Sequence, residues 1–222
     1  MFDAIAHRYD FLNRILSLGL DSKWRKETIA ALELAPGSRV LDLATGTGDV
    51  AFAVLRMVGD STVVGVDLSP NMLEIGVSKA ETKGFQSRTS FQLGDAENLS
   101  FEDDSFDAAT IAFGIRNVPD RARALGEMAR VVKKEGRIGI LELLEPSKGI
   151  LGVPARLYVR KLVPRIGALI SGAKEYRYLQ ESIAAFPRPE VFRAVMESAG
   201  IEVLRVEPLS FGVCCLYVGR PK

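Results

Sequence analysis

Apolar residues recur at three- and four-residue spacing near the start of the chain, at Phe2, Ile5, Ala6, Tyr9, Leu12 and Leu16, which predicts helix from Met1 to about Leu34. Pro36-Gly37 breaks it. The rhythm then changes to short apolar runs bounded by turn residues. Arg39–Leu43, Thr62–Val66, Thr89–Leu93, Phe106–Phe113 and Arg137–Leu143 each read as a strand. Helical stretches separate them: one from the glycine-rich turn after Leu43 to about Val58, and one beginning at Ser69-Pro70, with Ser69 as cap and Pro70 in the first turn. The stretch RARALGEMARVV places Ala122, Leu125, Met128, Ala129 and Val132 on one helical face. Strands alternating with helices predict an α/β fold whose parallel sheet is covered on both faces. After Glu145 the alternation stops. A basic, apolar helical stretch runs to about Ala173, followed by KEYRYLQESIAAF, a helix around Pro189–Gly200, and two closing strands at Glu202–Val206 and Val213–Gly219.

A chain of 222 residues suits one such domain and can bury a sizeable core. The net charge of +1 makes no case for nucleic acid as a partner. The two cysteines, Cys214 and Cys215, are adjacent in a run that reads as a strand, which predicts buried thiols in a reducing compartment rather than a disulfide. Asp3, His7, Arg8 and Asp10 interrupt the apolar N-terminal positions, so no signal peptide is expected, and no uncharged apolar run is long enough to span a bilayer. The expected location is the cytoplasm.

Ligands of open parallel sheets bind at the carboxyl ends of the strands. The residues there are Asp42 to Gly48, Asp67, Asp95, and Phe113 to Asn117. The loop LDLATGTGDVA can be parsed in two ways. Gly46-Thr47-Gly48-Asp49-Val50-Ala51 fits a dinucleotide fingerprint, with the loop amides on a pyrophosphate and Asp67 on a ribose. Asp42 through Gly48 also fits, with Ala44 as a departure, the D-x-G-x-G-x-G loop that holds S-adenosylmethionine (SAM). The acids favour SAM. Asp42 and Asp49 would repel a phosphate, whereas SAM carries a sulfonium and an ammonium group that suit a carboxylate at Asp42. Asp67 suits a ribose diol in either case, and Asp95 is placed to read an adenine amine.

The stretches HRYDFLNRILSLGLDSKWRK, LATGTGDVA, GVDLSPNML, LGDAENLSFEDDSFD, IAFGIRNVPD and YRYLQESIAAFP occur in this order over nearly the whole chain. Together they resemble the menaquinone/ubiquinone-biosynthesis C-methyltransferase family (UbiE/MenG). The resemblance implies a Rossmann-like methyltransferase fold: seven strands, mostly parallel, with an antiparallel last hairpin and helices on both faces. It also implies one methyltransferase domain, with a helical cap over 1–35, a SAM-binding core over 36–145, a helical substrate lid over 146–188, and a closing helix and strands over 189–222. By matching motif, SAM is expected at Asp42, Gly46, Thr47, Gly48, Asp67, Leu68, Asp95, Ala96 and Ala112. Ala112 stands in the IAFG stretch where relatives often carry serine, so a hydroxyl contact is not expected there. Ala44, in place of the loop's first glycine, is a mild departure provided its φ is negative.

The implied reaction is methylation of a ring carbon of a polyprenylated quinol, demethylmenaquinol first and a demethylated benzoquinol of ubiquinone synthesis as alternative. Such a reaction needs a phenolate, a positioned methyl donor and exclusion of water. The expected catalytic residues are Arg116, Asn117 and Tyr9. Arg116 would stabilise the phenolate or orient a water, although an ion pair with Asp120 or Glu142 is the competing reading. His7, the only histidine, is an acid–base by type but has no further signal. Tyr176, Arg177, Tyr178 and Phe186 could line the ring pocket or be core aromatics beneath the lid. Between Pro146 and Lys174 six basic and no acidic residues interleave with apolar ones, which suggests transient contact with a membrane surface or an ordinary lid helix or dimer contact. No spacing suggests a metal. The competing classes are a dinucleotide oxidoreductase, a non-catalytic SAM-binding module and a nucleic-acid methyltransferase; the basic stretch has few aromatics for base stacking.

Overall fold

The structure, a computed structural model, describes residue 14, residues 17–145 and residues 173–222, without the side chains of residues 173–176. Seven strands form one sheet: β1 (Arg39–Leu43), β2 (Thr62–Asp67), β3 (Thr89–Leu93), β4 (Phe106–Ala112), β5 (Val132–Leu143), β6 (Ile201–Leu209) and β7 (Cys214–Pro221). The helices are α1 (Leu20–Ala31), α2 (Asp49–Met57), α3 (Pro70–Lys83), α4 (Arg121–Val131), α5 (Ala173–Ala185) and α6 (Pro189–Ser198). The spatial strand order is β3-β2-β1-β4-β5-β7-β6. Strands β1 to β5 pair in parallel, and β7 is antiparallel to both β5 and β6. This is the expected mostly parallel sheet with an antiparallel closing hairpin.

The central strands are apolar along their whole length because both faces are covered. On β1, every residue after Arg39 is buried. One face packs Leu43, Ile111, Leu125, Met128, Phe192 and Tyr217. The other packs Ile29, Leu32, Phe52, Val54 and Ala80. The chain leaves β1 towards β2 and β3 on one side, then returns to β4 on the other. The loops after β1 and β4 therefore diverge, and a crevice opens between them.

The start of α3 was legible. Pro70 opens α3, and the Ser69 hydroxyl accepts from the Met72 amide. Two expectations need correction. The helix predicted through Leu34 is not continuous: Ser17-Leu18-Gly19 form a turn, with Leu18 and Gly19 at positive φ, and α1 starts at Leu20. Strand β5 begins at Val132, not Arg137. Its first turn of sequence, Lys133-Lys134-Glu135, is exposed and polar, so no apolar run marks it. Gly136 lets this segment approach β4, because a Cβ there would lie 2.6 Å from the Asp107 carbonyl oxygen. Cys214 and Cys215 are buried free thiols, and burial pushes Cys215 up to about 11.

Candidate active site at the carboxyl ends of the strands

Strand β1 runs straight into the glycine loop. Three loop residues adopt left-handed backbone: Ala44 at φ 48°, Gly46 at 55° and Gly48 at 85°. Gly48 has a second constraint, since a Cβ would lie 2.8 Å from the Phe91 ring. Ala44 corrects an expectation. Its φ is positive, so it pays the left-handed cost that a glycine would avoid, on the order of 1 kcal/mol. The residue is wedged against Gly114, where an added Cβ would stand 2.5 Å from that of Ala44. Phe113, just before Gly114, is also left-handed, at φ 58°. Two strained residues thus line the cavity between the loops, a pattern typical of functional sites.

The loop's polar groups are largely spoken for. The Gly46 amide donates to Asp67 Oδ2 at 2.8 Å, and Ser69 N donates to Asp67 Oδ1 at 2.9 Å. The Gly48 amide donates to the Thr45 carbonyl at 2.9 Å. Beneath the loop, Asp42 is almost fully buried and accepts from the hydroxyls of Thr45 (2.6 Å) and Thr110 (2.7 Å). Burial pushes its carboxyl up to about 6 despite those two donors. Lys79, reaching over from α3, donates to the Thr47 hydroxyl at 2.9 Å and to Asp49 at 2.8 Å.

A cavity of about 200 Å³ lies above these loops. Asp67, the exposed Leu68, Asp95 and Ala96 line one side, and Phe113, Asn117 and Tyr178 line the other. Asp95 is oriented by accepting from the Glu97 amide at 2.9 Å. Tyr178, on α5, donates its hydroxyl to Asn117 Oδ1 at 3.0 Å, joining that helix to the turn after β4. Apart from these polar groups the walls are apolar, including Val66, Met72, Val118 and Pro119.

The other expected residues sit elsewhere. Asp42, Thr47 and Ala112 line a separate space of about 20 Å³ under the loop, where Arg25 and Asp49 join them. Gly46 lines both spaces, and Gly48 caps α2. Arg116 is buried and pairs with Glu142 at 2.7 Å. The same guanidinium group donates to the Phe113 carbonyl, and the Arg116 amide donates to Glu142 Oε2 at 3.1 Å. The competing ion-pair reading is therefore realised, with Glu142 as the partner, and Arg116 is not among the residues lining the cavity. Phe186 is buried against Phe192, with ring centroids 4.8 Å apart, in the core rather than on the cavity. Arg177 is exposed on α5. His7, Tyr9, the Tyr176 side chain and the basic stretch over 146–172 lie outside the described residues. Lys79 and Arg25 were missed, because nothing local in the sequence shows that α1 and α3 reach the loop.

The residues fit SAM better than a dinucleotide. No lysine or arginine lines the cavity among the described residues, and two carboxylates do. The Gly46 and Gly48 amides that would cradle a pyrophosphate are already satisfied within the chain. Asp67 and Asp95 face an apolar cleft, as a ribose diol and an adenine amine require. Among the described residues, no group of three side chains could hold a metal.

Comparisons with known proteins point to the same methyl donor. The chain is 49% identical to the demethylmenaquinone methyltransferase of Thermus thermophilus over the full length of both proteins. It is 45% identical to the ubiquinone/menaquinone biosynthesis C-methyltransferase UbiE of Geotalea uraniireducens, covering 99% of this chain and 94% of that one. Identity to the demethylmenaquinone methyltransferase of Deinococcus radiodurans is 44%, over 99% and 90% of the two chains. Among solved structures, a SAM-dependent methyltransferase from Aquifex aeolicus matches with a TM-score of 0.65 at 19% identity, over 88% of each chain. The [4+2]-cyclase SpnF matches with a TM-score of 0.70 at 19% identity, over 90% of this chain and 81% of that one, so the fold by itself does not dictate the chemistry. Residues 1–221 match the model of the ubiE/COQ5 methyltransferase family, and the chain belongs to that family of methyltransferases, with SAM as methyl donor.

Proposed function

We propose that the protein methylates a ring carbon of a polyprenylated quinol, with demethylmenaquinol as the substrate. The observation that carries this reading is the pairing of Asn117 and Tyr178 on the cavity wall opposite Asp67 and Asp95. The acids suit a cationic nucleoside; the amide and phenol suit an oxygen-bearing ring beside it. The names of the relatives from Thermus and Deinococcus support demethylmenaquinol. The UbiE name of the Geotalea relative keeps the benzoquinol of ubiquinone synthesis as the alternative.

SAM supplies an electrophilic methyl group when bound. The chain must then hold the quinol with its ring carbon in line and stabilise the phenolate that makes this carbon nucleophilic. Asn117 Oδ1 accepts from Tyr178, which leaves the amide nitrogen as the donor for the quinol oxygen. Val66, Met72, Phe113, Val118 and Pro119 exclude water, so that this hydrogen bond acts in a low-dielectric space. Arg116 acts through position. Locked to Glu142 and to the Phe113 carbonyl, it holds the Phe113–Asn117 turn in shape. Tyr9 remains a candidate for the same oxygen. The polyprenyl tail requires work at a bilayer surface. Among the described residues no helix is long and apolar enough to cross a membrane. The basic, apolar stretch over residues 146–174 is the candidate contact.

The test is methyl transfer from labelled SAM to demethylmenaquinol and to a demethylated ubiquinol precursor, each reduced and in detergent micelles. The wild type should label the naphthoquinol. Asn117→Ala should lose at least tenfold in kcat with SAM affinity retained, consistent with one lost transition-state donor. Label on neither ring, with SAM bound, would sink the quinol reading.

A further inference from the structure

A second cavity, of about 320 Å³, lies on the other side of the glycine loop and shares no lining residue with the first. Helices α1, α2 and α3 and residue Arg14 enclose it. Six cations line it: Arg14, Arg25, Lys26, Arg56, Lys79 and Lys83. Its two acids are already engaged. Asp21 pairs with Arg25, and Asp49 bridges Lys79 at 2.8 Å and Arg25 at 3.6 Å. That leaves Arg14, Lys26, Arg56 and Lys83 with no ion pair among the described residues. Lys79 and Lys83 stand four residues apart on α3, a spacing at which like charges repel. Both ammonium groups nonetheless converge on one ring: Lys79 Nζ lies 5.8 Å and Lys83 Nζ 5.9 Å from the Phe52 centroid. Four further cations around one basin whose two acids are already engaged make a positive potential that attracts an anion.

We infer that this basin binds a phosphate-bearing anion. Arg56 offers a planar fork suited to two phosphate oxygens, and the lysines add point charges around it. Multiple cations with several donors each favour a di- or polyanionic group over a carboxylate. The phosphate can belong to a free phosphate ester or to the headgroup of an anionic lipid; both present the same oxygens. The inference is independent of the quinol reading, because neither Asn117 nor Tyr178 borders this basin.

The experiment titrates the full chain with inorganic pyrophosphate by calorimetry. It also sediments the chain with vesicles of phosphatidylglycerol and phosphatidylcholine, against phosphatidylcholine alone. The double variant Arg56→Ser/Lys83→Ser is run alongside, with Lys26→Gln/Arg56→Gln as a second, milder pair. All of these positions are exposed, and retained SAM binding reports that the variants fold. Saturable binding that weakens at least tenfold in both pairs is expected, and it should weaken with added salt. Loss of pyrophosphate binding with unchanged vesicle binding assigns the basin to a free phosphate. Vesicle binding lost in the variants and displaced by pyrophosphate assigns it to a headgroup. No saturable binding of either probe, or binding that the variants leave unchanged, overturns the inference.

Discussion

At the scale of single residues, the site combines a buried acid with a strained backbone. Asp42 carries the clearest pH signature. Below about pH 4 its carboxyl is protonated in folded and unfolded chains alike. Between there and about pH 6 the folded chain keeps a proton that the unfolded chain has lost, so stability falls as pH rises; above about 6 the effect levels off. Asp42→Asn keeps an acceptor for one threonine hydroxyl and removes the titration. Urea unfolding from pH 4 to 7 should show the wild type losing stability relative to this variant, by up to about 3 kcal/mol. Parallel curves would mean that the carboxyl titrates normally. The Ala44–Gly114 contact is a second case. Gly114→Ala should destabilise by roughly 1–3 kcal/mol through overpacking. Ala44→Gly should be close to neutral, because relief of the left-handed strain offsets the entropy gained by the unfolded chain. Combined, Ala44→Gly should recover most of the Gly114→Ala loss, measured as a coupling in a double-mutant cycle.

At the scale of elements, the ion pair between Arg116 and Glu142 ties the turn after β4 to the end of β5. Glu142 is fully buried and accepts three bonds: from the Arg116 guanidinium, from the Arg116 amide and from the Leu143 amide. Glu142→Gln would leave a buried guanidinium uncompensated. The expected cost is about 3–5 kcal/mol in chemical denaturation, with kcat falling because the Asn117 turn loosens. A variant with wild-type stability would show that the pair is dispensable. The sequence had offered Glu142 and Asp120 as equal partners. The choice fell to Glu142 because parallel pairing sets Ala112 beside Leu141 and so brings the end of β5 to the turn after β4. Asp120 instead caps α4 by accepting from the Arg123 amide.

At the scale of the molecule, the crevice exists because the strand order reverses at β1, and any ligand bound there bridges the two halves of the sheet. A ligand that binds only the folded chain stabilises it by mass action. At a hundredfold excess over Kd, SAM should add about 2.7 kcal/mol and raise Tm by a few degrees. In the Arg56→Ser/Lys83→Ser variant, whose phosphate basin is disabled, NAD at the same concentration should leave Tm unchanged, since the loop amides that would take its pyrophosphate are occupied within the chain. A larger shift with NAD than with SAM would reverse the assignment of the glycine loop.

The sequence by itself determined the strands of the central sheet, the N-terminal cap of α3 and the acids at the strand ends. Each of these is written in local periodicity or in turn chemistry, which neighbours along the chain supply. Its motif stretches also carried the family resemblance. Tertiary structure alone decided which acids face the cavity, since Asp67 and Asp95 border it whereas Asp42 is sealed under the loop by Thr45 and Thr110. It likewise turned Arg116 into the core, left Phe186 in the core and brought Tyr178 onto Asn117. It also gathered cations from three helices into one basin. These outcomes depend on contacts between residues far apart in the chain, and on burial, which a side chain acquires only when the elements around it have packed.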